Sequence, residues 1–348
     1  MATELSIPAE TVKALLGQAG ISGAILDSVR LGGGGNNRAY RLDTEAGPVL
    51  LKEYFRHPED PRDRAGAEYA FLSFCRECNI ARVPLPLAIL PDRGIALYSW
   101  VEGEPLVPGT VTDEDVAEAA AFTGDLARVS HSQTARKLPP ATDACFSIQE
   151  HLDRIEARLH DLQNVLSQKL RAGADDLDRE ASSFVNGCLA PTWRAVRSDI
   201  ETATSEAIRL ERLNFDSCIV SPSDFGFHNA LRTAGGLVFL DFEYAGLDDP
   251  AKLLCDFACQ PAVPVHMSAV DQVQTVLARI FCVTGEISLP YRATLLLPAH
   301  RLKWCCIMLN EFKHTDAERR RFSGRLASME NRHLQLKKVI DVMASFFE

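Results

Sequence analysis

The stretch Ser221-Pro222-Ser223-Asp224-Phe225-Gly226-Phe227-His228-Asn229, followed closely by Leu237-Val238-Phe239-Leu240-Asp241-Phe242-Glu243, is the densest chemical signal in the chain. Asp224 and Asn229 sit in a turn-rich segment, and Asp241 ends an apolar run. Asp and Asn favour turns for their own sake, because their short side chains bond nearby backbone. Two carboxylates and an amide gathered this way also suit Mg²⁺, which takes hard oxygen ligands and keeps several waters. Phosphoryl transfer asks for such a set. One carboxylate orients the incoming hydroxyl and accepts its proton, and others hold the metal that neutralises the β- and γ-phosphates.

Two upstream features fit the same chemistry. Gly32-Gly33-Gly34-Gly35-Asn36-Asn37 lies between two predicted strands. Glycine lets a backbone take φ > 0 and approach a ligand, and successive free N–H groups form an anion-binding concavity. A plain hairpin turn has the same composition, and the run is neither the dinucleotide fingerprint nor the P-loop. Lys52 is embedded in Val49-Leu50-Leu51-Lys52-Glu53-Tyr54. It is either an edge residue that snorkels or an ammonium aimed into a cleft, where a carboxylate must fix it. Glu68 is the best-placed partner, with Glu59 and Glu77 as alternatives.

Around these features the chain divides in two. Residues 6–17 read as a short helix, with Ser6 as its cap and Pro8 in the first turn. Short β-like runs follow at Ile25–Leu31, Arg38–Leu42 and Val49–Phe55. Then come a helix over Pro58–Cys78 and a hairpin, Leu85–Leu90 with Gly94–Val101, around Pro91-Asp92-Arg93. Gly103, Pro105, Pro108 and Gly109 mark a boundary, giving lobes at 1–102 and 103–348. Beyond it, helix patterns cover Val111–Ser130, Ile148–Leu170, Ala190–Leu213, Ala269–Cys282, Tyr291–Phe312 and Glu318–Phe347. One β island interrupts them, at Cys218–Ser221, Ala230–Arg232 and Leu237–Asp241. The expected fold is therefore α+β and bilobal, with a small sheet lobe, a larger helical lobe and a ligand cleft between them.

Composition narrows the partners. With 348 residues, 46% of them hydrophobic, the chain can bury a sizeable core. A net charge of -10 argues against nucleic acid as partner. No stretch approaches the roughly 20 apolar residues of a membrane span, and residues 1–18 lack the apolar run of a signal peptide. A cytoplasmic protein, monomer or homodimer, is expected. The ten scattered cysteines read as reduced, mostly buried thiols. Cys75 and Cys78 form a lone pair without the second pair a zinc site needs.

From about Leu31 to Phe257 the chain resembles the aminoglycoside phosphotransferase and choline kinase superfamily, which has a protein-kinase-like bilobal fold. The segment Leu31–Leu42 is similar to the family's nucleotide loop, so Gly33, Gly34, Gly35, Asn36 and Asn37 are implied phosphate contacts. Lys52 matches its phosphate-binding lysine and Glu68 the pairing glutamate. Leu97–Gly103 looks like the inter-lobe hinge, with the backbone of Ser99, Trp100 and Val101 against the adenine. Asp224 and Asn229 keep the family's Asp-x₄-Asn spacing, which implies Asp224 as catalytic base and Asn229 as metal ligand. Asp241 matches the metal-binding aspartate, and Leu240-Asp241-Phe242-Glu243-Tyr244 is close to the choline-kinase form of that motif. Asp248, Asp249, Pro250 and Asp256 resemble the acidic stretch that supports the catalytic loop. One departure stands out: the family's His-Gly-Asp is here Pro222-Ser223-Asp224. His228 does not replace the missing histidine in spacing and reads as a loop or packing residue.

The resemblance implies an ATP- and Mg²⁺-dependent transfer of phosphate to a hydroxyl of a small molecule. Family acceptors include aminoglycosides, choline, ethanolamine, homoserine and sugars. Substrate contacts are expected from the C-terminal helices, with Trp304, Asn310 and Glu311 joined by Glu243 and Tyr244 as candidates. Trp304 either faces the acceptor or packs as a core aromatic. Arg301 and Lys303 argue against a pocket tuned for polycations, which favours a sugar-like or amino-alcohol acceptor. A kinase-shaped protein that only binds nucleotide is the alternative function, and transfer of the nucleotide itself is a third.

Overall fold

The computed structural model describes residues 5–32, 35–58, 60–281, 283–284, 287–313, 321–324 and 329–344. Gly33, Gly34 and Glu59 lie outside the described residues. Helix α1 (Ala9–Gln18) begins on Pro8, with no side-chain cap from Ser6. Ser6 instead bonds Tyr40 and Glu53. Strands β1 (Ile25–Leu31), β2 (Asn37–Thr44) and β3 (Gly47–Tyr54) form an antiparallel meander. Helix α2 spans Arg64–Glu77 and is shorter than the predicted Pro58–Cys78. Pro61 disfavours helical backbone at Asp60, and Asp63 caps the helix by accepting from Gly66 N–H. The hairpin β4 (Pro86–Leu90) and β5 (Ile95–Ser99) completes a sheet of order β1-β2-β3-β5-β4.

Alternation along β3 sorts the residues by face. Val49 and Leu51 pack with Val12, Leu15 and Leu16 of α1. Lys52 is therefore on the opposite face, the one α2 covers, and only 6% exposed.

The second lobe starts on β6 (Glu104–Pro105) and α3 (Asp113–Val129), whose capping box pairs Thr112 with Asp115. Helix α4 (Ile148–Ala172) follows, then α5 (Asp176–Phe184), a π-helical stretch (Val185–Leu189) and α6 (Ala190–Ala203). The predicted Ala190–Leu213 helix is thus two helices. Thr204 is extended, and Ser205 caps a new one, α7 (Glu206–Leu210). Strands β7 (Ile219–Ser221), β8 (Ala230–Thr233) and β9 (Gly236–Phe239) match the predicted island, and β10 (Gly246–Asp248) is an addition that pairs with β7. Helices α8 (Pro250–Cys259), α9 (Met267–Ala278), α10 (Leu289–Met308) and α11 (Met329–Ala344) complete the lobe. The predicted C-terminal helix is broken at Gly324, which sits at φ +83°. Among the described residues no helix is long and apolar enough to cross a membrane.

The two parts meet at a few close approaches. Strand β6 pairs with β8, so the chain leaving the hinge is pinned to the β8–β9 hairpin. That contact needs Gly103, where a Cβ would lie 2.9 Å from the Arg232 carbonyl. An aromatic stack continues the junction: Phe71 of α2 lies on Phe242, with ring centroids 4.5 Å apart, and Phe122 of α3 lies on Phe239 at 4.7 Å.

At Gly246 a Cβ would fall 2.5 Å from both the Ala141 N and the Pro139 O, backbone atoms that cannot swing aside. Gly246→Ala is expected to cost about 2 kcal/mol. Urea denaturation of the purified variant measures it, and an unchanged midpoint would show that the 139–141 segment shifts freely.

Candidate active site

The apolar members of the signature stretch are its anchors. Phe225, Phe227, Phe239 and Phe242 are all 3% exposed or less, packed among Phe122 and Phe257. With the rings held inside, the polar residues between them stay at the surface of the cleft. Asp224 and Asp241 keep 35% and 32% of their side chains exposed.

Backbone and side-chain bonds then fix their separation. Asn229 Nδ2 donates to the Asp224 carbonyl at 3.0 Å, and Leu240 N–H donates to the Asn229 carbonyl at 2.8 Å. Asp224, Asn229 and Asp241 are therefore ends of one small unit: a turn, a hairpin and the residue after it. Asp241 itself is at φ +65°, a region that Asp tolerates better than most residues. Ser223 is at φ +67°, where glycine would sit without strain. Ser221 Oγ accepts the Ser223 N–H at 3.0 Å and braces it there. His228 Nε2 lies 3.3 Å from Asp224 Oδ1, so it positions the carboxylate from beside.

Across the junction Lys52 Nζ donates to both oxygens of Glu68, at 2.8 and 3.0 Å, and to Asp241 Oδ1 at 2.9 Å. Tyr54 OH also donates to Glu68, at 2.6 Å. Burial works against the ammonium, but Asp241 and Glu68 outweigh it and hold its pKa above the usual lysine range. Glu68 and Phe71 are three positions apart on α2 and share a face, so the Phe71–Phe242 stack also sets the carboxylate in reach of Lys52.

Asn36 crosses from the glycine-rich turn to the other lobe, donating to Glu243 and, at 2.6 Å, to Tyr244 OH. Asn37 Nδ2 adds longer bonds of 3.4 Å to Asp241 and 3.3 Å to Glu243. Glu243 is 1% exposed. Burial, with the Asp241 charge adding to it, pushes its pKa up to about 7. The hinge residues lie at the end of β5. Ser99 bonds Leu85 through N–H and Oγ, and Trp100 carries Arg41 over its ring and bonds Glu102.

A cavity of about 300 Å³ opens beside Asp224. Gly35, Asn36, Tyr244, Trp304 and Asn310 help line it; Lys52, the hinge residues, Glu243 and Glu311 do not. The cavity also brings in residues that sequence reasoning passed over: Asp143, His151, Arg154, Arg158, Lys252 and His300. Arg154 and Arg158 sit at an i,i+4 spacing in α4, the pattern of any solvated helix face, so no local signal set them apart.

Under the cavity runs a buried relay. His151 Nε2 lies 3.1 Å from Asp249 Oδ2, His151 Nδ1 lies 3.0 Å from His300 Nε2, and His300 Nδ1 lies 3.3 Å from Asp256 Oδ1. Burial opposes charge on His151, but Cys145 and Asp249 push its pKa up to about 9. Burial and Lys303 drive His300 down to about 3. One tautomer set follows: a His151 cation donates to Asp249 and to a neutral His300, which donates to Asp256.

A family model described as the phosphotransferase enzyme family (APH) matches residues 27–260, and the chain belongs to that family. It is a member of the aminoglycoside phosphotransferase and choline kinase superfamily. Solved structures share the fold over almost the whole chain. The spectinomycin phosphotransferase APH(9)-Ia, bound to ADP and spectinomycin, superposes with a TM-score of 0.63 at 11% identity, covering 98% of this chain and 99% of the other. The gentamicin complex of APH(2")-IIa gives 0.58 at 14%, covering 99% of each. A choline kinase from Cryptosporidium parvum Iowa II gives 0.55 at 13%, covering 98% and 96%. No curated protein sequence matches the chain.

Because folding raises the His151 pKa, its contribution is fully present below about pH 6.5 and fades as pH rises through about 9. His151→Gln should therefore destabilise the protein on the order of 2–3 kcal/mol in mildly acidic buffer, by progressively less as pH rises from about 6.5 to about 9, and by least above that. Urea melts of both proteins across that range provide the measurement, and a pH-independent difference would contradict the relay.

Proposed function

We propose that this protein transfers the γ-phosphoryl group of ATP, with Mg²⁺, to a hydroxyl of a small molecule in the cytoplasm. The observation that carries this reading is Lys52, held between Glu68 and Asp241 where sheet lobe and catalytic hairpin meet. A buried ammonium in that position suits the α- and β-phosphates of a nucleotide whose adenine lies against Ser99–Val101. With a lobe boundary near residue 102, that hinge would lie between the two halves. Gly33, Gly34, Gly35 and Asn37 would cover the phosphates. Asn36, whose amide bonds Glu243 and Tyr244 in this structure, belongs to the same loop.

The donor set fits Mg²⁺. Asp241 Oδ1 takes Lys52 and Asn37, and no described residue bonds Oδ2. The amide nitrogen of Asn229 is committed to the Asp224 carbonyl, which leaves its oxygen for a cation. The described residues form no cluster of three or more His, Cys, Asp or Glu that could hold a metal. Mg²⁺ asks for less than such a cluster, since it is usually held by one or two carboxylates together with substrate phosphates. The ion, when bound, neutralises charge on the phosphates.

Asp224 faces the cavity, and among the described residues the His228 ring, 3.3 Å away at its edge, is its one ion-pair neighbour. It accepts a hydrogen bond from the acceptor hydroxyl and takes that proton as the new O–P bond forms and the bond to the ADP oxygen breaks. Positioning and charge neutralisation supply most of the rate. Ser223, braced by Ser221, gives the loop the backbone shape a glycine would adopt, so Pro222-Ser223 does not remove Asp224 from its place.

Asp224→Ala should lower kcat at least about 10³-fold while nucleotide affinity stays near wild type, as read by single-turnover assays and calorimetry. Asp241→Ala should abolish the Mg²⁺-dependent part of nucleotide binding, measured with and without EDTA. Turnover by Asp224→Ala at the wild-type rate would reject the assignment.

A further inference from the structure

The charge on the cavity next to Asp224 is opposite to that of the protein. The chain carries -10 overall, yet the lining includes Arg62, Arg154, Arg158, Lys252 and Lys303 against only three aspartates, Asp224 among them. Two of these cations are neutralised locally, since Lys252 and Lys303 lie on Asp256 and Lys252 also on Asp248. The arginines are not. Arg154 and Arg158 share the single carboxylate of Asp143. Arg62 and Arg64 share that of Asp60. Each sharing leaves one positive charge over. Arg154 and Arg62 keep 40% of their side chains exposed, and among the described residues Arg158 Nε has no hydrogen-bond acceptor.

Resting on the reading of Asp224 as the group facing the acceptor, we infer that the cavity takes an acceptor bearing an anionic group, a carboxylate or a phosphate ester, which Arg154 and Arg158 grip while its hydroxyl meets Asp224. Guanidinium is the side chain best shaped for such oxyanions, because it donates in a planar fork. The two are four positions apart on α4 and so point the same way. Asp143 aligns them without saturating them. Burial opposes it, yet Arg158 and Arg154 hold its pKa below the usual carboxylate range, so it stays ionised and keeps both forks in place. A polyamine or quaternary amine meets the wrong field here. The ring of Trp304, the natural seat for such a cation, already has Lys303 Nζ 6.0 Å from its centroid, and its N–H is tied to Asp256 at 3.0 Å. The ring is left as a wall for the carbon skeleton of the acceptor.

The test compares matched acceptors in Mg²⁺ with a non-hydrolysable ATP analogue for binding, and with ATP for turnover. Glycerol, D-glycerate and glycerol 3-phosphate form one set; glucose, D-gluconate and glucose 6-phosphate form another; choline and gentamicin are the cationic arm. Calorimetry should show an anionic member binding at least about tenfold more tightly than its neutral counterpart, and the carboxylate and phosphate arms tell the two sources of charge apart. For the best acceptor, Arg158→Gln should raise KM about tenfold or more with kcat and the KM for ATP little changed, and Arg158→Lys should recover part of the loss. If Arg158→Gln does not fold, Arg154→Gln reads the same term. A protein that binds Mg²⁺-nucleotide but prefers the neutral or cationic compounds, or fails to discriminate, overturns the anionic cavity alone. A protein that binds no nucleotide overturns the Lys52–Asp241 reading on which it rests.

Discussion

The structure turns on one buried ammonium. Lys52 is taken out of water on the inner face of β3, a costly place for a cation unless it is fully paired. Its two carboxylates come from different parts of the chain, Glu68 from α2 and Asp241 from the end of the β8–β9 hairpin. The sheet lobe and the helical lobe are thus tied through a single charge. Neither carboxylate could leave without weakening its hold on that charge, so the two lobes are fastened to each other there. One ammonium facing two carboxylates also leaves negative charge in excess.

The ion pair is precise because its supports are apolar. Phe71 stacks on Phe242, and Phe122 stacks on Phe239. These rings flank Asp241 on the one side and carry Glu68 by helical spacing on the other. In the signature stretch Asp224 is followed by the buried ring of Phe225, and Asp241 and Glu243 flank the buried ring of Phe242. The alternation looks like that of a strand, yet most of the segment is turn. Its function is to fasten a loop to a core, so that short polar side chains are placed by packing of their neighbours rather than by their own bonds. The left-handed backbone at Ser223 and Asp241 is where that fastening costs most, and both sit directly at the site.

In the cavity beside Asp224 the electrostatics reverse. The Lys52 side is built of carboxylates around one lysine, whereas the cavity is built of arginines sharing too few carboxylates. Two neighbouring sites of opposite character meet at one aspartate. Each favours its own ligand, and water lost from either strengthens the field in it.

Much of this was legible in the residues alone. The order of three strands, a helix and two strands and the glycines and prolines after residue 102 are local patterns of period-2 alternation and turn chemistry, whereas the grouping of Lys52, Glu68, Asp224, Asn229 and Asp241 was implied by the resemblance to a family. The sequence determines the local patterns because backbone sterics and the burial of apolar faces act over a few residues. What it could not decide was which distant groups share a space. Helix ends at Thr204 and Gly324 and the extra strand β10 came from tertiary pairing and packing. Glu243 reads as a substrate contact in sequence but is folded inward onto Asn36 and Asn37, while Arg154, Arg158 and His151 read as an ordinary helix and prove to form a cavity with α8 and α10. The field in that cavity sums charges brought in by separate elements and depends on how many carboxylates each arginine must share, a quantity set by three-dimensional proximity and invisible along the chain.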